Sequence, residues 1–233
     1  VVSLVAFSLF GCAEMQQVMD QLPQGTGVLS QAEIGSGLKE ALNNGITKQV
    51  SKLTATDGFY RNEAVKIFLP EELKVVDKKL RQIGLSKLAD EGLKVINRAA
   101  EDAVKEATPI FVDAVKQMSF NDAKNILLGN DSSATNYLQN TTSTSLQAKF
   151  TPVIQNSYTR VGADKIWSEI ITKYNSLPLV KKVNPNLTEY TTSKAMEGVF
   201  KMIAVEEKDI RTNLNARSSN LLKKVFALQD GKQ

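Results

Sequence analysis

From residue 30 onward apolar residues recur every three or four positions, and the stripes they draw predict a succession of helices. Ile34, Leu38, Leu42, Ile46, Val50 and Leu53 make the first stripe. It follows Ser30-Gln31-Ala32-Glu33, the spacing of a capping box in which the serine hydroxyl accepts from an amide and the glutamate reaches back. Thr56-Asp57-Gly58 is a turn signal that ends it. In VKIFLP, Val65, Ile67 and Leu69 alternate with Lys66 and Phe68. One isolated strand cannot make a sheet, so the alternation predicts an extended connector lying on helices. Pro70, Glu71 and Glu72 then suit a helix N-terminus, which predicts a helix running to Gly84. The next helical stretch covers 86–118, kinked or restarted at Pro109. Ser119 caps a short helix that stops at Gly129.

The polar run GNDSSATNYLQNTTSTSLQ is interrupted by Tyr137 and Leu138, which predicts a short helix and a second N-cap within 141–145. Leu146, Phe150, Ile154 and Tyr158 then mark a helix ended by Gly162, and Trp167 and Ile171 mark the next. LPLVKKVNPNL is a loop, Thr188 caps a helix carrying Val199, Phe200, Ile203 and Ile210, and a last helix holds Leu222, Val225 and Phe226. The pattern predicts one all-α, bundle-like domain of about seven to nine helices with irregular connectors over residues 30–228, followed by a short tail at 229–233.

The front of the chain reads differently. Residues 1–11 form an uncharged, almost wholly apolar run, close to the roughly seven to fifteen residues of a signal-peptide h-region and short of the roughly twenty that span a bilayer. The run ends Leu9-Phe10-Gly11-Cys12, which resembles a bacterial lipobox. That resemblance implies a truncated signal peptide at 1–11, cleavage before Cys12, and diacylglyceryl attachment to its sulfur. Two or three acyl chains, at about 0.8 kcal/mol per buried CH₂, anchor a protein firmly. Residues 12–29 then serve as a lipidated, flexible tether reaching at most about 60 Å. Ala13, rather than Asp, follows the cysteine; similarity to Gram-negative lipoproteins implies an outer-membrane location facing the periplasm.

Composition narrows the chemistry. The 233 residues contain no histidine and one cysteine. Ser-His-Asp and Cys-His hydrolases and Cys/His metal sites are therefore excluded, and neither metal nor cofactor is expected. A net charge of +4 is mild for this length and does not point to nucleic acid. The densest polar cluster is NRAAED. On a helical wheel with Ile96 at zero, Asn97 falls at about 100° and Glu101 at about 140°, while Arg98 and Asp102 lie at about 200° and 240°. Asn97, Arg98, Glu101 and Asp102 thus form a candidate polar site, in which Glu101 or Asp102 would be the acid or base of a histidine-independent enzyme. In the alternative, Asn97 bonds a neighbouring backbone while Glu101 and Asp102 pair with Arg98 and Lys105 along a solvated face. GNDSS lacks the spacing of a calcium loop. Residues 181–233 hold 10 Lys+Arg against 6 Asp+Glu. Lys181, Lys182, Arg217, Lys223 and Lys224 make a candidate basic patch there for anionic lipid headgroups or other envelope polymers, the alternative being ordinary solvated charge on helix faces.

Five segments carry a wider resemblance: GLKEAL (37–42), NRAAEDAV (97–104), VDAVKQMSFNDAKNILLGNDSSATNYL (112–138), EGVFKMIAVEEKDIR (197–211) and LLKKVF (221–226). In this order they resemble the bacterial domain of unknown function numbered 4197, over residues 30–226. The resemblance implies a helical envelope domain, often with a lipoprotein-like N-terminus, and supplies no activity and no catalytic residues. The expectation is a lipid-anchored envelope protein that binds or scaffolds a partner in the periplasm. The alternatives are a carrier of an apolar ligand in a helical cavity, or a carboxylate enzyme.

Overall fold

The computed structural model describes residues 29–230, except 83, 85, 177, 180, 181 and 183–185. The predicted signal segment, Cys12 and the tether through residue 28 lie outside the described residues, as do residues 231–233, while Leu29, expected in the tether, packs against the core. Nine α-helices and one 3-10 turn organise the rest: α1 (Gln31–Thr54), α2 (Glu71–Gln82), α3 (Ser86–Val104), α4 (Ala107–Gln117), α5 (Phe120–Leu127), α6 (Ser133–Val161), α7 (Ala163–Asn175), α8 (Leu187–Thr212), the turn Leu214–Ala216, and α9 (Asn220–Asp230). No strand occurs among the described residues. The class is the all-α domain that the periodicity predicts.

Local chemistry sets the helix boundaries. The Ser30 capping box forms: its N–H donates to Glu33 Oε2 at 2.8 Å, and the Glu33 N–H donates to Ser30 Oγ at 3.2 Å. Ser119 and Asp122 repeat the device at the start of α5. Pro109 does not kink a long helix. The chain turns at residues 105–106 and α4 starts at Ala107, so the proline occupies the first turn, where its missing N–H is needed by no carbonyl. The second N-cap expected within 141–145 is absent, because α6 runs unbroken through it. The Thr142 hydroxyl donates to Leu138 O at 2.6 Å and the Ser143 hydroxyl to Gln139 O at 2.6 Å. Hydroxyls satisfied one turn back no longer compete with the helix ladder. Gly162, at φ 66°, ends α6 in the left-handed region.

Helices α1, α3, α6 and α8 pack on one another at the centre; α4, α5 and α9 close around α1, α2 lies on α3, and α7 on α6. Phe59, Phe111, Phe150, Phe226, Leu38, Ile46 and Ile96 are fully buried. Phe111 meets Phe200 edge-on at 5.9 Å. Two glycines permit close approach between elements distant in the chain. A Cβ on Gly37 would stand 2.6 Å from Val225 Cγ2 of α9, and one on Gly198 would stand 2.7 Å from the Phe59 ring. Residues 66–70 form a helix-free connector, and Val65, Ile67 and Leu69 are buried while Phe68 is exposed, the alternation that the sequence predicts.

Candidate functional site

The NRAAED cluster sits on α3 but acts on the chain preceding it. Asn97 is fully buried. Its Oδ1 accepts from the Ile67 N–H at 2.8 Å, and its Nδ2 donates to Ile67 O at 2.8 Å and to Leu93 O at 2.9 Å. One side-chain amide thereby serves as the missing neighbouring strand for the connector. Glu101, four residues on, is also buried rather than on a solvated face, and accepts from the amides of Phe59 at 3.1 Å and Tyr60 at 3.5 Å. Arg98 bridges Glu101 and Asp57, at 2.6 Å each, and Asp57 holds the turn at φ 65°. Asp102 takes Lys105 at 2.8 Å, the Ser157 hydroxyl at 3.2 Å and Arg160 at 3.0 Å. Burial alone would raise its pKa; the Lys105, Ser157 and Arg160 hydrogen bonds outweigh that and hold the carboxyl below its ordinary value. The four predicted residues are thus neighbours, but each is committed to structural bonds. This matches the alternative in which Asn97 bonds backbone, with one correction: Glu101 is buried by the 56–62 turn, which the wheel of a single helix cannot register.

A second polar cluster escaped the sequence. Glu207 and Arg211 of α8 are both buried and pair at 2.9 Å. Glu207 accepts from the amides of Ala134 and Thr135 and from the Thr135 hydroxyl, all at 2.8 Å, and so caps α6. Arg211 donates to Ile126 O at 2.7 Å and Leu127 O at 3.2 Å, which closes α5. Arg217 is likewise 2 % exposed, donates to Arg211 O at 3.0 Å, and grips Asp230 with two bonds of 2.6 and 2.8 Å. Arg217 therefore leaves the candidate basic patch: its guanidinium closes the end of α8 and does not face solvent. Lys182, Lys223 and Lys224 are exposed, and Lys181 lies outside the described residues. Glu207 and Arg211 are legible in retrospect, since Val199, Ile203, Glu207 and Arg211 run at a four-residue interval down the buried face. Charges at core positions were the signal.

The open surface has another character. A groove of about 980 Å³ runs between α6 and α8. Its α6 wall is Thr135, Gln139, Ser143, Gln147, Thr151 and Gln155, every fourth residue and none charged. Met196, Phe200 and Ala204 of α8 contribute apolar surface, with Glu189, Glu197 and Lys201 also along that side. Thr192, 2 % exposed, belongs to the lining, and its hydroxyl has no hydrogen-bond partner. An apolar cleft among α1, α8 and α9 measures about 190 Å³. Among the described residues no group of three carboxylates is placed to hold a metal ion, and no helix is long and apolar enough to cross a membrane.

Fold and site define a class: an all-α domain whose buried charges tie helix ends and connectors together, and whose α6–α8 groove is lined mainly by neutral hydroxyls and amides. The chain belongs to the DUF4197 family of proteins of unknown function, whose model matches residues 28–227. No match was found among curated proteins or among solved structures.

Proposed function

We propose that this protein is a cell-envelope lipoprotein, anchored through acyl chains on Cys12, whose helical body binds a periplasmic partner in the α6–α8 groove. The observation that carries the binding assignment is the groove itself: about 980 Å³ of concave surface with an uncharged hydrogen-bonding wall. Apolar run, lipobox and polar tether support the anchor, as the sequence presents them. The carrier alternative has weaker support, because the apolar cleft, at about 190 Å³, is smaller than the roughly 300 Å³ at which ligand pockets begin. The carboxylate-enzyme alternative also has weaker support, since Glu101, Asp102 and Glu207 already accept structural bonds.

Two measurements test this in the host. Cys12→Ser is expected to leave unprocessed precursor and to lose membrane fractionation; normal cleavage and membrane partition of the variant refute the anchor. A photo-crosslinking residue at exposed position Gln147 is expected to yield a specific adduct that the same residue at exposed Lys223, on α9, does not. Equal labelling from both positions, or none from Gln147, refutes the groove.

A further inference from the structure

What lines the α6–α8 groove restricts what can fill it. Across the 29 residues of α6 the only charged side chains are Lys149 and Arg160, and neither lines the groove. An exposed helix face is ordinarily stabilised by Glu, Lys and Arg, through propensity and i,i+4 pairs. Here neutral hydrogen-bonding groups take those places at a cost to the helix. The Ser143 and Thr151 hydroxyls donate back to Gln139 O and Gln147 O. Their lone pairs remain for a ligand. Gln139, Gln147 and Gln155 are exposed, and among the described residues no group hydrogen-bonds their amides, so each presents donor and acceptor together. Beside them the buried Thr192 hydroxyl has no partner. The α6 wall is neutral and bifunctional in hydrogen bonding, and the α8 side, which carries Glu189, Glu197 and Lys201, leaves the Thr192 hydroxyl unsatisfied.

We propose that the groove binds an extended, uncharged polypeptide segment through its backbone, an assignment that rests on the groove being the binding surface. Successive rungs of the α6 wall rise about 6 Å, four residues at 1.5 Å each. The N–H and C=O groups along one edge of an extended chain recur every two residues, about 6.7 Å. The glutamines, eight residues and about 12 Å apart, therefore meet about every fourth residue of such a chain. This molecule already uses that chemistry: Asn97 holds both the N–H and the C=O of extended Ile67 at 2.8 Å. Met196, Phe200 and Ala204 offer apolar contact to alternate side chains, as in other modes of extended-peptide recognition. An anionic polymer would need a basic ladder, and Lys201 is the one basic residue in the lining.

The test titrates the full-length lipidated protein, in nanodiscs, with three probes. These are an uncharged decapeptide of Ser, Thr, Ala and Val, the same peptide N-methylated at its four central residues, and a hexamer of N-acetylglucosamine. The decapeptide is expected to bind, and N-methylation, which removes donors from both edges, to weaken it at least tenfold. The triple variant Gln139→Ala, Gln147→Ala, Gln155→Ala changes only exposed side chains. It should retain the parent's thermal melt and bind the decapeptide at least tenfold more weakly. Absence of decapeptide binding, or equal affinity for the methylated peptide, overturns the assignment. If the hexasaccharide binds and the triple variant abolishes it, the groove stands and the polypeptide assignment falls. If decapeptide binding is indifferent to the triple variant, the groove itself is refuted as the site.

Discussion

Asn97→Ala is the sharpest test of how the fold is held, because the side chain it removes satisfies two backbone groups that have no other source of partners. Ile67 is 2 % exposed, so its N–H and C=O lose Asn97 without gaining water. An unsatisfied buried donor or acceptor costs about 1–3 kcal/mol, and truncation to alanine also leaves a small void. The Leu93 carbonyl lies in the helical ladder of α3 and adds less. The expected loss is about 3–5 kcal/mol, a fifth or more of the roughly 5–15 kcal/mol stability of an ordinary domain. Asn97→Asp separates the two contacts: it keeps an acceptor for the Ile67 N–H but sets a carboxylate against two carbonyl oxygens, so it should be destabilising too. Urea unfolding followed by circular dichroism gives the free energies, and hydrogen exchange at the Ile67 amide reports the site directly. An Asn97→Ala loss below about 1 kcal/mol, with the Ile67 amide still protected, would refute the clamp.

Glu207→Gln should cost about 3–5 kcal/mol by urea unfolding, because it leaves the buried Arg211 guanidinium without its countercharge. Replacing both, Glu207→Leu with Arg211→Met, should not restore stability as it does for simple buried pairs, since α6 loses its cap and the Ile126 and Leu127 carbonyls lose their donor. For pH, Asp102 and Asp230 are held below their ordinary pKa, so the unfolded chain takes up protons first on acidification. Their contribution is complete above about pH 5 and is lost as the pH falls through the folded values, so the melting temperature should drop between pH 5 and 3, and Asp102→Asn should narrow that drop. Replacing Ser143, Gln147 and Thr151 with Glu, Lys and Lys should raise the melting temperature while weakening decapeptide binding at least tenfold; a lower melting temperature would refute the claim that the neutral wall costs stability.

The helices were legible in the sequence because most of their buried faces are single stripes. Leu38, Leu42, Ile46, Val50 and Leu53 needed only the helical period. The extended connector was legible for the same reason, its period being two. Burial of Glu101 was not legible. The buried arc of α3 runs from Ala99 through Ile96 to Glu101, about 200° at 100° per residue, because other elements cover it on two sides. A wheel drawn for one apolar stripe cuts that arc short. The unbroken α6 was misread for a different reason: Ser, Thr and Asn signal caps by competing for the backbone, and that competition lapses once Thr142 and Ser143 donate to their own preceding turn. The groove was hidden because its wall and floor belong to helices about 50 residues apart in the chain, and the uncharged wall had been read as capping chemistry.

The two polar systems of the protein are mechanically linked. The exposed surface of α6 includes Asn140, Thr141, Thr144, Ser145, Asn156 and Thr159, each about 0.5 kcal/mol poorer in a helix than alanine, or about 3 kcal/mol together. Something must offset this for a helix of 29 residues to stay whole. Burial of Leu138, Leu146, Phe150, Ile154 and Tyr158 offsets part of it along the length. At its N-terminus, Glu207 meets two of the four amides that a helix leaves open, and does so with a charge, where a cap contributes most. At the other end the Tyr158 hydroxyl is buried against Thr191 of α8, joined at 2.5 Å, and Gly162 stops the helix. The same α8 that supplies Glu207 and Thr191 supplies the apolar side of the groove. The buried network therefore fixes the distance between the neutral wall and that apolar side, and with it the width of any segment the groove can accept.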